Sequence, residues 1–250
     1  MTDQCGRDVG HSVVMAQAIR NRFAVVAACA LVVASLTGTT SAAETTGRAS
    51  EHASQPPESP ASPVSAASVG SVDAVIDGQR VRQDPIAPCE VDGQREAESG
   101  AVSVDPVAGF GRGSSRCRMD TEGSGAAEAE TSGRAFTSRV LRRYGGPLLR
   151  VSSYSASCRT VDRGSEGSVE LRGVRGIDVP SDIPSNHTVL IHGPDESQPP
   201  LARVTVNEMV TPSPPDGSMT LNAMRIELFP EGGPDSGEIV VGSVSCDPFG

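Results

Sequence analysis

LARVTVNEMV, residues 201–210, and SMTLNAMRIELF, residues 218–229, decide how this chain is read. In the first stretch Ala202, Val204, Val206 and Val210 share one face of an extended strand, while Arg203, Thr205 and Asn207 point the other way. That period of two is what a half-buried strand imposes on its side chains. In the second, Met224, Ile226 and Leu228 alternate with Arg225 and Glu227. Between them stands Pro214-Pro215-Asp216-Gly217. Proline fixes φ and Asp-Gly tolerates positive φ, so this segment is a turn.

Working outward, the same alternation recurs over residues 71–76, 100–104, 116–121, 125–131, 134–144, 147–160, 168–173, 188–191 and 237–246, punctuated by Gly, Pro, Asp and Ser. Gly145-Gly146 between two of these runs reads as a tight hairpin turn. No stripe at i, i+3, i+4 runs for ten residues outside the N-terminal segment. The expected fold is all-β, an antiparallel sandwich or partly closed barrel. Its core must be built nearly without aromatics, because the chain has no Trp, five Phe and two tyrosines, Tyr144 and Tyr154. Val, Leu, Ile, Met and Ala carry the burial instead.

Upstream, Arg20-Asn21-Arg22 precedes the apolar run FAVVAACALVVASL, residues 23–36, and small residues follow to Ala43. This is the three-part pattern of a signal peptide over 1–43, helical and cleaved after Ala43. Fourteen apolar residues are too few to span a hydrocarbon core of ~30 Å comfortably, so no membrane span is expected after cleavage. Met15 offers an alternative start to Met1. Val26-Ala27-Ala28-Cys29 resembles a lipobox, but the apolar run continues beyond the cysteine, which argues against acylation. Residues 44–68, rich in Ala, Ser, Pro and Glu, have nothing periodic to bury and are expected to be a disordered linker. Residues 69–250 are then the folded domain, with 69–145 and 146–250 as candidate subregions.

Cys5 and Cys29 leave with the signal, and the mature chain keeps Cys89, Cys117, Cys158 and Cys246. An even count in an exported chain points to disulfides, with three connectivities open. The expected one joins Cys89 to Cys117 and Cys158 to Cys246, the second tying the 147–160 strand to the last strand. No zinc-ligand spacing occurs.

The net charge is −10, and about −11 once Arg7, Arg20, Arg22, Asp3 and Asp8 are removed. Such a surface repels nucleic acid and anionic headgroups. All basic residues are Arg, a usage expected of a GC-rich genome. No nucleophile elbow, zincin, P-loop, Rossmann or EF-hand pattern is present, so no catalytic residue and no cofactor is assigned. His187 and His192 are five apart and do not share a strand face; His11 and His52 fall in the signal and the linker. Asn186-His187-Thr188 is a sequon read as a coincidence beside a turn. Glu208 and Glu227 are considered as an acid/base pair on neighbouring strands, but the aromatic platforms of sugar hydrolases are missing, and solvated carboxylates are the expected reading. Asp73, Asp77, Asp216 and Asp235 are considered for calcium, without the spacing of a calcium loop; no metal site is assigned.

Five elements occur in order toward the C-terminus: Ser157-Cys158-Arg159; Ser168 to Val174; Val204-Thr205-Val206-Asn207-Glu208; Leu221 to Ile226; and Gly237 to Cys246. Over residues 148–247 the chain resembles the actinobacterial choice-of-anchor family of exported cell-surface proteins. The resemblance implies a secreted or cell-envelope β-protein and brings no established activity with it. Members often end in a sorting signal or anchor, which is not found near Cys246-Asp247-Pro248-Phe249-Gly250, so the mature product is expected to be free or held by something other than itself. The function expected is that of a non-catalytic envelope or secreted β-module, structural or adhesive, with an unidentified extracellular partner. The alternatives are a secreted hydrolase with an unrecognised site and a calcium-dependent binding module.

Overall fold

A computed structural model describes residues 62–250. The expected signal peptide and the linker up to residue 61 lie outside the described residues. Fourteen strands follow: β1 (Val64–Ile76), β2 (Gln79–Ile86), β3 (Cys89–Glu90), β4 (Glu96–Ser99), β5 (Val102–Val104), β6 (Ala108–Phe110), β7 (Gly113–Met119), β8 (Ala127–Ser138), β9 (Leu149–Val161), β10 (Gly164–Arg172), β11 (His187–Ile191), β12 (Ala202–Val210), β13 (Met219–Leu228) and β14 (Ser236–Asp247). They form two antiparallel sheets. Sheet A runs β11-β12-β13-β14-β1-β2, with β3 also on β1. Sheet B runs β10-β9-β8-β6-β5, with β7 between β8 and β4. Neither closes on itself, so the fold is a β-sandwich rather than a barrel.

Both sheets carry a transverse crease at which the inward-facing set of residues changes parity. In β1, Ser65 and Ala67 are buried below it and Val72, Ala74 and Ile76 above. In β13 the inward set is Met219 and Leu221, then Met224, Ile226 and Leu228. In β9 it is Leu149 and Val151, then Tyr154, Ala156 and Cys158. Pairing skips one residue pair at each of these points and resumes in unchanged register, with Asn207, Ala223, Gly242 and Val69 lined up across sheet A. Ala135 and Ser152 are the skipped pair in sheet B. The backbone accomplishes the reversal with left-handed residues, among them Asn207 (φ 52°), Gly242 (φ 61°) and Ala135 (φ 55°). A non-glycine residue in that region costs about 1–3 kcal/mol, so packing across the sandwich must hold it there.

Tyr154 does much of that holding. It lies 3% exposed between the sheets and donates a 2.9 Å hydrogen bond to the Val69 carbonyl, at the skipped position of β1. Gly242 lies against its ring. Above the crease sits the larger core, where Phe110 and Phe136 are in contact at 5.2 Å between ring centroids among aliphatic side chains. Below it the core is made of Ala67, Ala129, Ala156, Met219, Leu221, Val244 and two disulfides. Cys89–Cys117 joins β3 to β7, and Cys158–Cys246 joins β9 to β14. Both cross from one sheet to the other, and both are the expected pairs.

The structure corrects several expectations. Gly145-Gly146 is not a hairpin turn: β8 ends at Ser138, a 3-10 helix spans Val140–Tyr144, and left-handed Gly145 caps it. Val140 and Leu141 are buried, which gives the helix its reason. The runs 125–131 and 134–144 belong in part to one strand, β8, split on paper by the parity reversal at Ala135. Residues 64–68, read as the end of the linker, open β1, where Ser65 is buried and its hydroxyl donates to the Glu128 carbonyl. Val210 is exposed, because the reversal at Asn207 separates it from Val206. The candidate subregions 69–145 and 146–250 interleave: β1 pairs with β14, and β8 with β9.

Two outcomes follow. Replacing Cys158 and Cys246 together by Ser frees a loop of 88 residues and should lower unfolding stability by about 2–5 kcal/mol in denaturant titrations. Gly242→Ala puts a Cβ 2.8 Å from Tyr154 Cδ2 at a left-handed position and should cost about 1–3 kcal/mol, measured the same way; a neutral result would remove the crease as a constraint.

Candidate functional site

At the crease the two sheets approach closely. Gly113 of sheet B faces Val69 of sheet A, where a Cβ would come within 2.7 Å of a Val69 methyl, and Gly242 of sheet A lies against the Tyr154 ring of sheet B. The outer face of sheet B is correspondingly recessed into an open trough of about 480 Å³. Residues from β4, β7, β8, β9 and β10 line it, so it crosses five strand rows, or ~19 Å. Its walls are hydroxyls and charges. Ser114 and Ser132 stand opposite each other with their oxygens 3.4 Å apart, and Ser153 and Ser155 continue the row. Ser99 Oγ is buried at the margin and has no hydrogen-bond partner among the described residues. Arg172 donates to Glu170 at 3.3 Å, whereas Arg112 and Arg134 have no carboxylate partner among the described residues. Glu98 completes the charged lining.

On the other side of the crease a second recess, about 610 Å³, opens beside the 3-10 helix. Four arginines line it, Arg139, Arg142, Arg143 and Arg150, over an apolar floor of Pro106, Val140 and Leu148. Arg143 is tied to Asp77 at 2.7 Å. Arg139, Arg142 and Arg150 have no carboxylate partner among the described residues, and no carboxylate lines the recess. Arg150 also pairs through its backbone with Arg175. Below the trough the pattern changes: Arg116, Arg118 and Arg159 are paired with Glu96, Glu128 and Glu166.

Sheet A has a polar cluster at its own crease. Glu208 is 7% exposed; its carboxylate accepts from Asn222 Nδ2 at 2.7 Å and from Arg225 at 3.3 Å. Arg225 also donates to Glu238 at 2.8 Å. Burial works against the charge of Arg225, but Glu238 and Glu208 more than offset it and its pKa is raised. Asn222 Oδ1 has no partner among the described residues. Glu208 is therefore not the solvated carboxylate expected. Nor does it act with Glu227, which accepts from Arg203 at 2.9 Å, so the two carboxylates are separately engaged.

The aspartates weighed for calcium do not converge as a set. Asp73 pairs with Arg80, and Asp216 accepts from Ser218 at the turn before β13. Asp77 and Asp235 do meet, with the Asp77 N–H donating to Asp235, but Arg143 and Tyr144 occupy their remaining oxygens. Among the described residues no group of three metal-ligating side chains forms. His187 opens β11 opposite Val206, and His192 follows the strand. Asn186 of the sequon is engaged through both side-chain atoms with the Met209 backbone. The arginines of sheet B were missed in the sequence: they are dispersed over residues 112–175 and only strand pairing collects them. No family model matches the chain, and no curated protein matches it.

The chain's two tyrosines provide a check on this geometry. Burial, with the hydrogen bond to and charge of Asp235, pushes Tyr144 up to about 12, and burial pushes Tyr154 higher still. A phenol whose pKa is raised in the fold stabilises it below its unfolded value near 10 and loses that contribution as pH rises through about 12. Phenolate absorbance should stay flat through pH 10 in the folded protein and first rise near 12. Tyr144→Phe should abolish that first rise.

Proposed function

We propose that the chain is an exported, non-catalytic β-module of the cell envelope or its surroundings that works by adhesion through the outer face of sheet B. The observation that carries this reading is the open trough across five strand rows. A shallow recess walled by hydroxyls and guanidiniums suits an extended molecule laid over it, whereas catalysis usually needs converging groups in an enclosed pocket. Two inter-sheet disulfides are consistent with an oxidising compartment. No helix among the described residues is long and apolar enough to cross a membrane. The signal-peptide pattern ending at Ala43 and the resemblance of residues 148–247 to exported actinobacterial surface proteins support the same location.

Fractionation of the native cell tests this. The mature protein should begin at Glu44 and co-sediment with washed envelope fragments. An acylated Cys29 at the N-terminus, recovery in the cytosol with reduced cysteines, or failure to sediment with any envelope material would overturn it.

A further inference from the structure

We infer that the outer face of sheet B binds an acidic glycan, a sugar polymer carrying carboxylate or sulfate groups; this rests on the adhesive reading above and names its ligand. The first ground is charge placement. The chain carries a net charge of −10, yet Arg139, Arg142 and Arg150 line one recess without a carboxylate among its lining residues. In the adjoining trough Arg172 is paired with Glu170, while Arg112 and Arg134 stand without ion-pair partners among the described residues and outnumber the one unpaired carboxylate there, Glu98. Elsewhere on the same face arginines are neutralised by glutamates. Solvent screens interactions beyond ~8 Å at physiological ionic strength, so the local cluster, and not the distant negative surface, governs an anion resting on it.

The second ground is shape. Arg134 pairs with Ser153 and Thr137 with Arg150 along the same two strands, so the trough and the basic recess follow one another, about 10 Å apart at 3.3 Å per residue. A small anion on exposed guanidiniums gains little, because water competes for each contact. Several anionic groups on one chain act together through effective concentration, which favours a polymer. Planar guanidinium forks match carboxylate and sulfate oxygens in pairs.

The lining chemistry selects among polymers. Serine hydroxyls, including the unpartnered Ser99 Oγ, match sugar hydroxyls, and Pro106 and Leu148 offer an apolar floor to a sugar ring's C–H face. No aromatic residue lines the basic recess, and Tyr154, which borders the trough, is 3% exposed with its hydroxyl turned inward to Val69, so no aromatic face is open for the stacking that holds single-stranded nucleic acid. A bilayer would need a flat or convex face, and this one is recessed.

The test uses the exported protein and affinity electrophoresis through gels containing polygalacturonate, dextran sulfate or neutral dextran, with anionic phosphatidylglycerol vesicles and duplex DNA assayed by co-sedimentation. Retardation by polygalacturonate or dextran sulfate, weakening as salt rises, is expected, and which of the two acts identifies the anionic group. The paired substitutions Arg139→Ala with Arg150→Ala, and Arg112→Ala with Arg134→Ala, should each weaken binding about tenfold or more. Arg80→Ala with Arg82→Ala, on β2 of the other sheet, should leave it unchanged; thermal midpoints confirm that all three variants fold. Equal retardation by neutral dextran, preferential binding to vesicles or DNA, binding to none of these, or folded sheet B variants that bind like the parent would overturn the inference. If envelope fragments still retain a protein that neither glycan retards, the ligand assignment fails and the adhesive reading stands; loss of both defeats both.

Discussion

The hydrogen bond from the Tyr154 hydroxyl to the Val69 carbonyl joins the two sheets at the place where each strand changes which of its faces is buried. A strand with strict alternation presents one face throughout. Here the inward set changes parity in mid-strand, and the backbone must enter the left-handed region to allow it. Those conformations are unfavourable for Ala135 and Asn207 taken singly. They persist because the skipped pairs are aligned across each sheet and because Tyr154, with Gly242 and Gly133 against its ring, fills the space between. Its hydroxyl also satisfies a buried carbonyl that the interrupted ladder leaves over.

The crease divides the interior into two parts stabilised differently. Above it, Phe110, Phe136 and the branched aliphatics bury enough apolar surface to hold the sheets together. Below it the side chains are small, and Cys89–Cys117 and Cys158–Cys246 span the gap that larger residues would otherwise fill. With so few aromatics in the chain, one half is packed and the other is cross-linked. The second bridge also secures β14, the central partner of both β1 and β13, close to the chain's end.

The exterior follows from the same arrangement. Gly113, which lets sheet B approach Val69, and Gly133, which leaves room for the neighbouring Tyr154 ring, line a recess on its outer surface, and strand pairing gathers there arginines that are distant in sequence. On sheet A the same line draws Glu208, Asn222 and Arg225 into a shielded hydrogen-bonded group. Glu208 illustrates what a local pattern conveys: its strand was legible, but the reversal one residue earlier, at Asn207, takes it out of the inward set of Ala202, Val204 and Val206, and Asn222 and Arg225 from neighbouring β13 shield it.

From the sequence alone came the all-β class, the strands β12 and β13 with the Pro-Pro-Asp-Gly turn between them, the inward set Met224, Ile226 and Leu228, and the expectation that Cys89, Cys117, Cys158 and Cys246 form disulfides. Each rests on local alternation, local turn chemistry or cysteine count; which of the three connectivities forms is set by how the two sheets face each other. The tertiary structure decided the rest. The polar strand Gln79–Ile86 has no apolar alternation of its own and exists through pairing with β1. Gly145 caps a helical turn instead of forming a hairpin, because Val140 and Leu141 reach the core. Parity reversal broke β8 into two apparent runs, since a period of two carries no warning of a left-handed residue that only cross-sheet packing can hold. The arginine face was illegible for the same reason: which side chains meet on one surface is set by register between strands, and register is a property of the assembled sandwich.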